Sequence, residues 1–149
     1  MPALLENKKV FFDYEILDTY EAGLSLMGTE VKSLKAKHGK IIGARVVIRG
    51  GEAYMIGMEI PPYQPLNAPK EYDPARTRRL LLHKKEISYL TGKAEERGLT
   101  IVPTRVYTKS NLLKVEIALV RGKKKFEKRE KIKKRDTERE LLRDIKGGV

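Results

Sequence analysis

The first 120 residues alternate apolar and polar side chains in short runs. Residues 14–27 predict a strand, carried by Tyr14, Ile16, Tyr20, Leu24 and Leu26. Acidic residues interrupt it, and Gly23 predicts a bulge or bend. Thr29 is placed to cap a short helix through Val31, Leu34 and Lys35, since Val31 and Leu34 are three apart. Residues 44–49 and 52–58 are β-rich and flank Gly50-Gly51, which predicts a hairpin because glycine supplies the positive φ of a primed turn. Pro61-Pro62-Tyr63 ends that region. Residues 64–72, with Pro65 and Pro69, read as a mobile loop, and Asp73-Pro74 starts a helical turn. A helix is expected over residues 83–97, where Ile87, Leu90 and Ala94 share a face and Gly98 stops it. Residues 100–107 and 113–120 predict two strands around a Lys109-Ser110-Asn111 turn. The second alternates in its first half, and Pro103 implies an edge or a bulge in the first.

These elements amount to about six short strands and two or three helices. Hairpin joints and antiparallel strands predict a mainly β fold with flanking helices, closed or partly closed as an oligonucleotide-binding-type antiparallel barrel. The division expected is a barrel head over residues 1–122 and a basic C-terminal tail over residues 123–149.

Charge sharpens that division. The chain has 149 residues and a net charge of +12. From Arg121 to Val149 there are thirteen Lys or Arg against six Asp or Glu, a surplus of seven. The tail has helix-forming residues and no proline, with Glu127/Lys131 and Glu130/Lys134 as favourable pairs four apart. Leu141, Leu142, Ile145 and Val149 make only a short apolar stripe. Such a segment is expected to be disordered when free and helical against an anionic surface. A pI near 9.8 points to nucleic acid as the partner. A membrane surface is the rival, but the chain has no Trp and the tail's apolar face is thin. No segment approaches a bilayer span, no secretory signal opens the chain, and there is no cysteine. The expectation is a soluble, cytoplasmic protein that takes no cofactor.

Signatures of catalysis are missing. Gly39-Lys40, Gly92-Lys93 and Gly122-Lys123 are not followed by Ser or Thr, so there is no phosphate-cradling loop. Two histidines and no cysteine argue against a transition-metal site. No nucleophile elbow is present. The chain is read as a non-enzyme; a nuclease with carboxylate-bound metal remains a third class. A second basic focus spans residues 76–85, where Arg and Lys bracket Leu80-Leu81-Leu82. Its leucines can enter the core with the charges merely solvated, or the charges can meet phosphates while a leucine or an imidazole packs on an unstacked base. Glu21 has the same two readings: balance of charge, or acceptance of hydrogen bonds from base amino groups.

Three blocks carry a resemblance. They are Gly28-Thr29-Glu30-Val31-Lys32-Ser33-Leu34, the run from Asp73-Pro74 to Glu86, and Arg121-Gly122-Lys123-Lys124 followed by Lys128-Arg129. In this order and spacing the chain resembles the small protein B family, the SsrA-binding proteins, from Asn7 to about Ile145. The family binds transfer-messenger RNA (tmRNA) in bacterial trans-translation. The resemblance implies that the head binds the transfer-RNA-like domain of tmRNA through Asn7, Glu21, Leu81, His83 and Lys114. Asn7 and Glu21 would hydrogen-bond nucleotides, Leu81 would give apolar contact and Lys114 would meet phosphate. His83 stands where some relatives carry Asn. It further implies delivery to stalled ribosomes, with a helical tail in the empty message channel near the small-subunit decoding centre. Lys123, Lys124, Phe126, Glu127, Lys128, Arg129, Lys133, Lys134 and Ile145 are the corresponding tail positions. Phe126 would stack near decoding bases, and Glu127 stands where relatives often have Asp. A monomer is expected. The alternative is a general RNA-binding or ribosomal protein using the same barrel on another RNA.

Overall fold

The computed structural model describes residues 3–64, 66 and 70–122. The element order is β1 (Ala3–Glu6), α1 (Lys9–Asp13), β2 (Tyr14–Leu24), α2 (Gly28–Lys35), β3 (Arg45–Arg49), β4 (Glu52–Ile56), β5 (Arg78–Leu81), α3 (Lys84–Ala94), β6 (Leu99–Lys109) and β7 (Leu112–Gly122). All pairings are antiparallel, in the order β1-β6-β3-β4-β5-β2-β7, and β7 returns to pair with β6. That last ladder closes six strands into a barrel, and β1 adds to β6 from outside the ring. A mainly β barrel with flanking helices is therefore what the alternation builds.

The barrel interior is filled by Ala22, Val46, Met55, Leu80, Ile101, Val115, Ile117 and Leu119 with their neighbours. Helices close it: α2 contributes Leu34, and α3 contributes Leu90, both without exposed surface. A smaller cluster of Val10, Val102, Ala118 and Val120 lies apart from the main core, with Tyr14 and Ile16 packed against it. This explains why β7 alternates only at first. Lys114 and Glu116 flank the buried Val115, but α1 then brings Val10 over Ala118 and Val120, so residues 117–120 are all buried.

Several expectations are corrected in detail. The 14–27 strand ends at Leu24, and its irregularity lies between Ile16 and Asp18 rather than at Gly23. Gly23 is needed for room instead: an added Cβ would sit 3.3 Å from Leu81 Cβ. Met27, not Thr29, is the N-cap of α2, because Glu30 accepts the Met27 N–H at 2.9 Å and fixes the helix start there. Asp73 makes a turn, with its Oδ1 accepting the Ala75 N–H at 2.9 Å, and the chain then extends into β5. The 44–58 hairpin forms as expected, with φ of 59° at Gly50 and 75° at Gly51. Pro103 does mark a bulge, between Pro103 and Arg105 in the β6–β7 ladder. Of the 64–72 loop, Pro65 and residues 67–69 lie outside the described residues, as does the whole tail from Lys123.

The basic focus around β5 divides by strand alternation. Arg78 and Leu80 point inward; Arg79 and Leu81 point outward. Arg79 pairs with Glu52 across the β4–β5 ladder at 2.9 Å. Arg78 has no exposed surface and is fully partnered. It donates to Glu30 Oε2 at 2.9 Å and to the carbonyls of Met58 (2.8 Å), Arg76 (3.0 Å) and Pro74 (3.0 Å). Arg76 and the Tyr72 hydroxyl also donate to Glu30. A buried charge demands such partners. Burial alone would raise the Glu30 carboxyl, but hydrogen bonds from Arg76, the Met27 N–H and Arg78 override it and hold the group at about 2.

Two outcomes test this architecture. Leu80→Ala should cost about 2–5 kcal/mol, while Leu81→Ala, one residue on, should change stability by less than about 0.5 kcal/mol in urea melts. Arg78→Met should cost about 3–5 kcal/mol because it leaves Glu30 buried without its fully buried partner. Because the folded-state carboxyl is depressed, its stabilisation is complete above its ordinary value of 4.5 and is lost as pH falls toward 2. The melting-temperature gap between the wild type and Glu30→Gln should therefore narrow over that interval.

Candidate nucleic-acid interface

Strand register assembles one outer face from five strands. Gly23 of β2 pairs with Leu81 of β5 on one side and Lys114 of β7 on the other, and Lys114 pairs with Tyr107 of β6. Leu81, Gly23, Lys114 and Tyr107 thus form one cross-strand row. In the next row Glu21 pairs with Glu116, Glu116 with Arg105, and Arg105 with Glu6 of β1. Side chains two apart on a strand share a face. The buried Ala22, Val115 and Leu80 between these positions fix the face as the outer one.

Three of the five head residues singled out from the sequence, Glu21, Leu81 and Lys114, are brought together here. Leu81 is half exposed, and Gly23 leaves space for it to lie over the sheet. His83 follows two residues later, exposed at the N-cap of α3, and its backbone N–H donates to Glu86 at 3.1 Å. Asn7 joins from the opposite edge, just beyond Glu6. Its N–H donates to the Thr104 carbonyl at 2.8 Å, and its buried side-chain Oδ1 has no hydrogen-bond partner among the described residues. A cleft of about 520 Å3 beside it is lined by Lys9, Asp13 and Arg45 among others. The tail positions Lys123, Lys124, Phe126, Glu127, Lys128, Arg129, Lys133, Lys134 and Ile145 lie outside the described residues.

Polar bonds stiffen the face. The Tyr107 hydroxyl donates to Glu21 Oε2, and Lys109 Nζ stands 3.3 Å from Oε1. The Tyr107 hydrogen bond holds the Glu21 carboxyl below its ordinary value; partial burial opposes this and Lys109 reinforces it. Burial and the bond to Glu21 push the Tyr107 phenol up to about 12. Arg105 lies over the Tyr107 ring, with Cζ 4.7 Å from its centroid, and its Nε stands 3.3 Å from Glu116. Thr104 donates to Glu116 at 2.6 Å. The result is a face with an ionised acceptor, an apolar ledge and a cation in adjacent positions. That set suits an unstacked base and its phosphate. Among the described residues no group of three or more His, Cys, Asp or Glu could hold a metal ion. No described helix is long and apolar enough to cross a membrane.

Sequence reasoning missed Tyr107, Arg105 and Glu116. The signal was available: Arg105, Tyr107 and Lys109 recur at period two in one strand, as do Lys114 and Glu116 in the next.

Known proteins resemble this chain in sequence and in fold. The SmpB protein family matches residues 4–147. An SsrA-binding protein from Sulfurihydrogenibium is 52% identical over 143 residues, covering 96% of this chain and 93% of its own length. One from Thermosipho melanesiensis is 49% identical over 148 residues, covering 99% of this chain and 100% of its own. A chain from a solved structure described as "tmRNA-SmpB: a journey to the center of the bacterial ribosome" is 45% identical. It superposes with a TM-score of 0.68 over 84% of this chain and 87% of that one. Matched along nearly its full length in sequence and in fold, the chain belongs to the SmpB protein family.

Proposed function

We propose that this chain binds the transfer-RNA-like domain of tmRNA and delivers it to stalled ribosomes for trans-translation in the bacterial cytoplasm. The observation that carries this is the meeting of Glu21, Leu81 and Lys114 on two adjacent rows of one sheet face, in a member of the SmpB protein family. Relatives named for SsrA binding and a neighbour described in a tmRNA–ribosome setting support the choice of RNA.

The division of labour is between a head, residues 1–122, and a tail, residues 123–149. The head reads a folded RNA shape: Glu21 and Asn7 accept or donate hydrogen bonds at nucleotides, Leu81 gives an apolar ledge, His83 flanks it and Lys114 meets phosphate. The tail lies as a helix in the vacant message channel, its Lys and Arg neutralising the channel's charge. An occupying message competes for the same space. The protein itself does no chemistry; recognition is its whole contribution, and the ribosome supplies catalysis.

Neutralised phosphates release counterions, so both contacts weaken with salt. Lys114→Met should lower the slope of log affinity against log salt by about one. Glu21→Ala and Leu81→Asp should each lower affinity for the transfer-RNA-like domain by about 10- to 100-fold, read by fluorescence anisotropy, with melting curves nearly unchanged. A chain ending at Gly122 should keep head binding yet lose peptide tagging on stalled ribosomes. Equal affinity of the full chain for the tmRNA domain and for arbitrary RNA of the same length would favour a general RNA-binding protein instead.

A further inference from the structure

We propose that Tyr107 is a positioning residue of this face: its phenol donates to Glu21 Oε2 and, with the Lys109 ammonium, fixes that carboxylate as an acceptor for the N–H edge of an unpaired nucleobase. The inference rests on the reading of Glu21 as an RNA contact. It assigns a role to a residue that touches RNA only through its neighbour.

The geometry supports this in three ways. First, Glu21 stands on an exposed part of β2, where a free carboxylate would sample several rotamers. An acceptor that must be ordered at the moment of binding binds more weakly than one ordered beforehand. Tyr107 is 4% exposed and sits on β6, so its hydroxyl is a rigid anchor. Arg105 stacks on its ring and is itself tied to Glu116, so the anchor has its own support. Second, only one oxygen is taken by the phenol. Among the described residues Oε1 is met by the half-exposed Lys109 ammonium at 3.3 Å, which leaves a second lone pair for a base amino group. Third, the charge states are complementary. Glu21 is surrounded by Tyr107 and Lys109 from β6 and by Lys114 and Glu116 from β7, and Glu116 is already engaged by Arg105 and Thr104. With the Tyr107 proton held to about pH 12 and the Glu21 carboxyl depressed, donor and acceptor keep their roles at every pH the cell presents.

The test uses the full chain as wild type, Tyr107→Phe, Glu21→Ala and the double variant, with the transcribed transfer-RNA-like domain of tmRNA as probe. Tyr107→Phe should lose about tenfold in affinity, the scale of one hydrogen bond to a charged group, with an unchanged salt slope. In the Glu21→Ala background the same change should cost nothing further, since the acceptor it positions is gone. Lys109→Met, at an exposed site, should show a smaller loss that also vanishes in that background. Carbon NMR of the free protein should show the Glu21 carboxyl rising toward its ordinary value in Tyr107→Phe. If Glu21→Ala weakens binding but the Tyr107→Phe loss is absent, or persists undiminished in the double variant, the positioning role is overturned while the RNA face stands. A silent Glu21→Ala overturns the face and the inference together. An unmoved Glu21 titration in a folded Tyr107→Phe chain overturns the inference independently of RNA.

Discussion

Everything on the outer face depends on β7 being paired on both sides. Its ladder with β2 runs from Tyr14↔Gly122 to Gly23↔Lys114, and its ladder with β6 from Leu99↔Arg121 to Lys109↔Leu112. These two registers bring Glu21 and Tyr107, 86 residues apart in sequence, within hydrogen-bonding distance. A slip of one residue would turn Lys114 and Glu116 into the barrel and Val115 out of it. The apolar content of β7 forbids that slip, so hydrophobic patterning fixes the placement of polar groups with which it has no direct contact.

The two clusters of charge on this chain obey different rules. Glu30 and Arg78 are without solvent and hold the 72–78 segment against α2; their value lies in complete partnering, since removing either leaves the other's buried charge uncompensated by its nearest opposite. The Glu21, Lys109 and Lys114 group is partly hydrated and screened, worth little to stability and available for a ligand. Sequence alone puts both kinds in the same class of charged residue. Strand alternation separates them: within Arg78-Arg79-Leu80-Leu81, one Arg and one Leu go each way.

That contrast shows what was legible beforehand. The long strands, the Gly50-Gly51 hairpin and α3 were readable because their patterns are local: period two, a turn residue, an apolar stripe. Elements whose existence depends on a distant partner were not. Ala3-Leu4-Leu5-Glu6 has no alternation of its own and is a strand only because the edge of β6 accepts it. Five residues of α1 carry too short a period to announce a helix, yet they cover Ala118 and Val120 and so explain the unbroken apolar run in β7. The bond between Glu30 and Arg78 spans 48 residues, and no spacing rule reaches that far. For the site, Glu21 stood out from its place in the strand and the resemblance added Leu81 and Lys114, while register set Tyr107 beside Lys114 and within reach of Glu21.

The kink in β2 between Ile16 and Asp18 has an effect on the company the molecule keeps. Over Tyr14–Tyr20 this strand is bonded to β7 on one side, and no strand of the described residues pairs with the other. A straight apolar edge there would be a template on which a second copy could zip. Instead the edge is bent and carries Glu15 and Asp18, two carboxylates in a strongly cationic protein. Such an edge resists pairing with the edge of a second copy.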